Sequence, residues 1–134
     1  MQVEPIVNRS AAAVDLDSEW KKLFEPLPQE SMEEYVRKYI GLLMPEPTER
    51  LGRKRAVKER TEKLQRAELL LTLETIIACD GNMNEMARVL FIHRNTAAYR
   101  IEKLEHLLGM PLRQSDHLLR LKLALLFRDM LAMG

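Results

Sequence analysis

The sequence predicts an all-α protein, and three observations carry that prediction. Leu, Ala, Glu, Lys, Arg and Met dominate the chain, and these residues lose little freedom in a helix. Apolar residues recur every three to four positions in several segments, the period of a helix with one buried face. No segment alternates β-branched residues with the period of two that a strand needs. With 134 residues, 46% of them hydrophobic, the chain has room for one real core and an arm. The expected division is an N-terminal helical arm with a basic linker over 1–60, and a helical bundle over 61–134.

The arm gives short signals first. Ala11 to Ala13 and Trp20 to Phe24 each suit a turn or two of helix, and Pro26 and Pro28 stop them. Ser31 and Glu34 have capping-box spacing and open an expected helix over 32–44. Its apolar stripe is Met32, Tyr35, Val36, Tyr39, Leu42 and Leu43, and Pro45 and Pro47 end it. The chain restarts near Thr48, with Gly52 as a weak point. From Lys54 onward it is helix-forming, either as one helix to about Cys79 or as two with a break near Thr61. Asp80-Gly81-Asn82 is turn chemistry.

Asn84 is the expected cap of the next helix, which buries Met86, Ala87 and Leu90, with Glu85 in its first turn. Phe91-Ile92-His93 is a three-residue break. A longer helix follows from Arg94 to Leu108, ended by Gly109 and Pro111. The last helix begins at Ser115 or Asp116 and runs to about Ala132. A short helix, a tight turn and a longer helix with a polar start is a helix-turn-helix layout.

The longer helix sorts its residues by face. Ala97, Ile101, Leu104 and Leu108 make a buried stripe, and Asn95, Tyr99, Glu102 and His106 lie opposite, flanked by Thr96 and Lys103 on one side and Ala98 on the other. Asn pairs bidentately with adenine, Arg with guanine, and Thr with a base edge or phosphate. His93 occupies the N-cap position, where free N–H groups suit a phosphate. Ala87 is the small residue expected where the two helices cross. The pattern alone equally suits an angled helix pair inside a bundle.

Charge is distributed unevenly. Residues 1–49 hold five basic and ten acidic side chains, a net of −5. Residues 50–66 hold eight basic and two acidic, a net of +6, and 67–134 balance at eight of each. Arg53, Lys54, Arg55 and Lys58 are therefore candidate phosphate contacts, with a solvated helix face as the equal alternative.

Enzyme and metal classes are poorly served. His93, His106 and His117 have no His or Cys partner at ligand spacing, no Gly-rich phosphate loop occurs, and no nucleophile has a catalytic setting. The expectation is a non-enzyme with no metal or cofactor, and no small-molecule site is identifiable. The single cysteine, Cys79, reads as a buried inert thiol. No apolar run is long enough to span a membrane, and there is no basic leader, so a cytoplasmic location is expected.

The run His93-Arg94-Asn95-Thr96-x-x-Tyr99-Arg100, followed by Leu104-Glu105-x-Leu107-Leu108-Gly109, resembles the C-terminal DNA-binding domain of PucR-type regulators. It is more distantly similar to Fis-type domains. The resemblance extends over about 64–131, through Gly81-Asn82, Ala87-Arg88-x-Leu90 and Arg120-Leu121-x-Leu123-Ala124-Leu125. It implies a bacterial transcriptional regulator that binds double-stranded DNA as a dimer, with contacts from His93, Arg94, Asn95, Thr96, Tyr99, Arg100 and Lys103. Arg100 also borders the buried stripe, so pairing with an acid is its structural alternative. Ala98 and Glu102 stand where the family often has basic residues. The 94–108 helix then carries Arg94, Arg100 and Lys103 against Glu102 and Glu105, a net of +1. One copy should therefore bind weakly, and dimerisation or the 50–66 stretch would supply affinity. The alternative is a helical interaction module that has lost DNA binding. PucR-type regulators carry a larger sensing region ahead of this domain, so the chain reads as a fragment or a short stand-alone relative. Candidate self-association surfaces are the apolar last helix and the Met32 to Leu43 stripe.

Overall fold

A computed structural model of the chain describes residues 17–44 and 53–133, the side chains of 53–56 excepted. Every regular element among the described residues is helical, as the composition predicts. They are α1 (17–24), α2 (Gln29–Ile40), a 3-10 turn (Gly41–Leu43), α3 (Arg53–Ala78), α4 (Met83–Val89), α5 (Arg94–Leu108) and α6 (Ser115–Met133). None of the described helices is long and apolar enough to cross a membrane. The expectations at Ala11–Ala13, Thr48 and Gly52 lie outside the described residues.

Helix α2 begins earlier than Ser31 suggests. Pro28 is its N-cap residue, and the Pro28 carbonyl accepts from the N–H groups of Ser31 (3.0 Å) and Met32 (3.3 Å). Ser31 lies inside the first turn and makes no side-chain cap. The α-helix also ends sooner, at Ile40 (φ −129°, ψ 14°), where the chain tightens into the 3-10 turn. That change of pitch turns Leu43 inward and leaves Leu42 64% exposed. The buried face is Met32, Val36, Ile40 and Leu43.

Helix α3 is continuous. Thr61 does not break it; its hydroxyl donates to the Val57 carbonyl at 3.1 Å, a bond a helix interior accommodates. Two buried threonines use the same device. Thr72 donates to Glu68 O (2.8 Å) and Thr75 to Leu71 O (2.7 Å), so neither hydroxyl is orphaned among Leu69, Leu73 and Ile76.

The apolar last helix is central. Leu121, Ala124, Leu125, Leu126 and Phe127 of α6 are buried, and α2 lies along α6. The Phe127 ring meets the edges or faces of Phe24 (5.2 Å) and Tyr35 (5.3 Å), both T-shaped. The Tyr35 hydroxyl donates to the Arg120 carbonyl at 3.1 Å. Arg128 ties α6 to α3 through Glu74 (2.9 Å). Burial works against its charge, but the hydrogen bonds to Glu74 and Asp129 outweigh it and hold the guanidinium protonated. One hydrophobic cluster thus runs from Met32 to Phe127, and α3 crosses residue 60 without interruption. Both surfaces expected for self-association are largely used within the chain.

Candidate nucleic-acid interface

Two helix ends of the same type frame this region. At the end of α3, the Gly81 N–H reaches Ile76 O (2.9 Å) and the Asp80 N–H reaches Ile77 O (3.0 Å). This is a Schellman closure with Asp80 in the left-handed region (φ 54°). Gly81 follows at φ 83°, where a side chain would be strained and a Cβ would sit 3.1 Å from Leu118 Cδ1, so the position favours Gly. The chain leaves the turn at Asn82, whose side chain accepts from the Glu85 N–H at 3.1 Å. Asn82, rather than Asn84, therefore caps α4, and Glu85 keeps its expected first-turn place.

Helix α4 closes in the same way. The Ile92 N–H reaches Ala87 O (3.0 Å) and the Phe91 N–H reaches Arg88 O (3.2 Å). Phe91 carries the left-handed residue (φ 56°) and is 95% exposed. Ile92 packs against the core with Leu90. The sequence marks Phe91 only as part of the turn; its signal is a Phe in a turn position that usually takes Gly. A left-handed L-residue costs roughly 1–2 kcal/mol, and this ring recovers little by burial. Phe91→Gly is therefore expected to stabilise the fold by about 1 kcal/mol. Thermal unfolding checks this, and an unchanged or lower midpoint would show that the ring supports the fold.

The polar end of α5 is set by His93. Its Nδ1 accepts from the Asn95 N–H at 3.0 Å, with the residue itself extended (φ −66°, ψ 149°). Ala97, Ile101 and Leu104 are buried beneath, and Gly109 (φ 71°) ends the helix. His93, Arg94, Asn95, Thr96, Tyr99 and Lys103 are all exposed on the outer side and N-terminal turn. Arg100 is not among them. Its Nε lies 3.1 Å from Glu68 Oε1 on α3, and its side chain is 22% exposed. Of the two roles expected for Arg100, the one seen within the chain is the pairing with an acid, which ties α5 to α3.

Glu105 is also diverted. Its carboxylate accepts from the Leu112 N–H at 2.8 Å and pins the loop before α6. With Arg100 and Glu105 both engaged, the outer face keeps Arg94 and Lys103 against Glu102. Lys58 is exposed on α3, while the side chains of Arg53, Lys54 and Arg55 lie outside the described residues. Cys79 packs at the edge of the core. Burial, then the Glu85 and Asp80 carboxylates, push its thiol above the ordinary range, so it stays protonated at neutral pH.

The family of PucR C-terminal helix-turn-helix domains matches residues 69–127. The purine catabolism regulatory protein of Bacillus subtilis (strain 168) is 43% identical over 65 residues, which are 48% of this chain and 12% of that relative. The chain thus corresponds to a small part of that relative's length. No solved structure matches the chain. The matched segment holds the whole α4–turn–α5 unit, with most of α6 and the last ten residues of α3. Residues 69–127, somewhat less than half of the chain, are thus similar to the PucR C-terminal helix-turn-helix domains.

Proposed function

We propose that the protein is a sequence-specific, DNA-binding transcriptional regulator that lays α5 in the major groove. It works as a homodimer on paired half-sites in the cytoplasm of a bacterial cell. The observation that carries this reading is the N-terminal turn of α5. A capped, rigid helix holds Arg94, Asn95 and Thr96 in solvent, while Ala97 and Ile101 anchor its back in the core. These exposed side chains have base-pairing chemistry and no role in the packing.

Asn95 and Arg94 are the base readers in this scheme. His93, Thr96, Tyr99 and Lys103 contact backbone or base edges, and Arg100 braces α5 against α3. Arg53, Lys54, Arg55 and Lys58 add phosphate contacts outside the groove. Sites selected from random DNA supply the probe for a test. Against them, Arg94→Ala with Asn95→Ala is expected to cost roughly 1–3 kcal/mol per lost bidentate pair. Unchanged binding sinks the groove assignment. A salt titration tests the basic stretch, since each neutralised phosphate adds a slope of about −0.9. A slope equal to two or three phosphates per monomer removes 53–58 from the interface.

A second reading is a helical interaction module with weakened DNA binding. The diversion of Arg100 to Glu68 and the exposed Glu102 favour it. Selection that yields no enriched sequence would favour it over the first.

A further inference from the structure

The N-terminal half of α3 has little packing: the 3-10 turn touches only one side of it, where Leu43 borders a groove with Lys63, Arg66 and Ala67. From Val57 to Glu68 no residue is buried; the first buried one is Leu69. A helical stretch of that length is marginal in water on its own. Yet its apolar residues are ordered. Val57, Leu64, Leu71 and Ala78 recur at intervals of seven, with Ala67 between. Val57 is 62% exposed, Leu64 72% and Leu71 50%. At about 100° per residue the stripe lies roughly opposite Leu69, Thr72, Leu73 and Ile76, which face the core. It drifts by about 20° per heptad, the mismatch that a left-handed supercoil removes.

We propose that this stripe is the seam of a homodimer, in which α3 of one copy runs parallel to, and in register with, α3 of a second copy. The proposal rests on the dimeric regulator reading and states where the second copy sits. Parallel pairing follows from charge. Lys63 and Glu68 flank the stripe on its two sides, at the spacing that brings Lys63 of one copy to Glu68 of the other. Glu68 gives one oxygen to Arg100 and remains half-exposed, so its second oxygen is available. Two positions oppose tight pairing. Arg60 falls at an inner site, where a charged residue weakens a seam but fixes its register. Glu74 falls at another and is drawn toward α6 by Arg128 at 2.9 Å. The expected dimer is therefore of moderate affinity. Because Glu68 also holds Arg100, the seam and the recognition helix share one carboxylate.

Sedimentation equilibrium of the full chain without DNA tests the seam. The wild-type protein is expected to be dimeric at high micromolar concentration. Leu64→Glu should weaken association at least ten-fold with unchanged helical circular dichroism, since Leu64 is 72% exposed. Leu64→Ala, which favours the helix and removes only the seam contact, should weaken it in the same direction. In a Cys79→Ser background, Leu64→Cys should form a disulfide-linked dimer on mild oxidation. A monomeric wild-type protein, its stripe covered from within the chain, overturns the proposal. So does a dimer that Leu64→Glu leaves intact. Failure of the DNA reading is a separate result, because Arg94→Ala with Asn95→Ala leaves the seam untouched.

Discussion

Replacing Phe127 by Ala is expected to destabilise the protein by about 3–5 kcal/mol, read from the urea midpoint at constant slope. Phe127 is only 6% exposed and stands where α1, α2 and α6 converge. Truncation removes its burial and leaves a cavity that three helices border. It also removes two T-shaped ring contacts, each worth roughly 0.5–1.5 kcal/mol. Domain stabilities are about 5–15 kcal/mol, so this one ring accounts for a large share. Leu119 on the same helix is 48% exposed, and its replacement by Ala should change stability by about 0.5 kcal/mol or less. Equal effects at the two positions would mean that α2 does not lie on α6.

Ala97→Leu is expected to remove DNA binding while keeping most of the helix content. Ala97 is fully buried under the first turn of α5, beside the His93 cap. Three added carbons have no space there, and overpacking of this kind costs about 1–3 kcal/mol. The strain falls on the junction between α4 and α5, since α4 is only seven residues long. The angle between the two helices should open and carry Arg94 and Asn95 away from their common geometry. Far-ultraviolet circular dichroism and a fluorescence titration on the same sample separate the two effects. Wild-type affinity in the variant would show that the N-terminal turn of α5 does not set the fit to DNA.

Helix α5 was legible in the sequence because its signals are local. The 3.6-residue stripe, the His93 cap and Gly109 with Pro111 all lie within the helix or at its ends, and they predict a helix over about 94–108, where the structure has it. The caps of α2 and α4 were not legible in the same way. Asn82 and Asn84 are equally able caps; the choice falls to Asn82 because the Asp80–Gly81 closure of α3 delivers it in an extended conformation (φ −82°, ψ 105°). Leu42 looked apolar and periodic, but the switch to a 3-10 turn at Gly41 rotated it to solvent. The sequence leaves the role of Arg100 open between a DNA contact and an ion pair, for a tertiary reason. Its partner Glu68 is 32 positions away and meets it only because α3 and α5 pack together.

The shared core has a consequence for how the molecule comes apart. Unfolding propagates through contacts, and a sub-structure melts independently only where few contacts cross its border. Here Ile40 and Leu43 belong to the same cluster as Leu73, Leu104 and Leu121. Unfolding of α2 uncovers α6, and loss of α6 leaves Glu74 on α3 without Arg128. The arm is thermodynamically part of the helix-turn-helix unit. A change that loosens Tyr35 or Phe24, far from α5 in sequence, draws on the same free energy that keeps Arg94 and Asn95 in place.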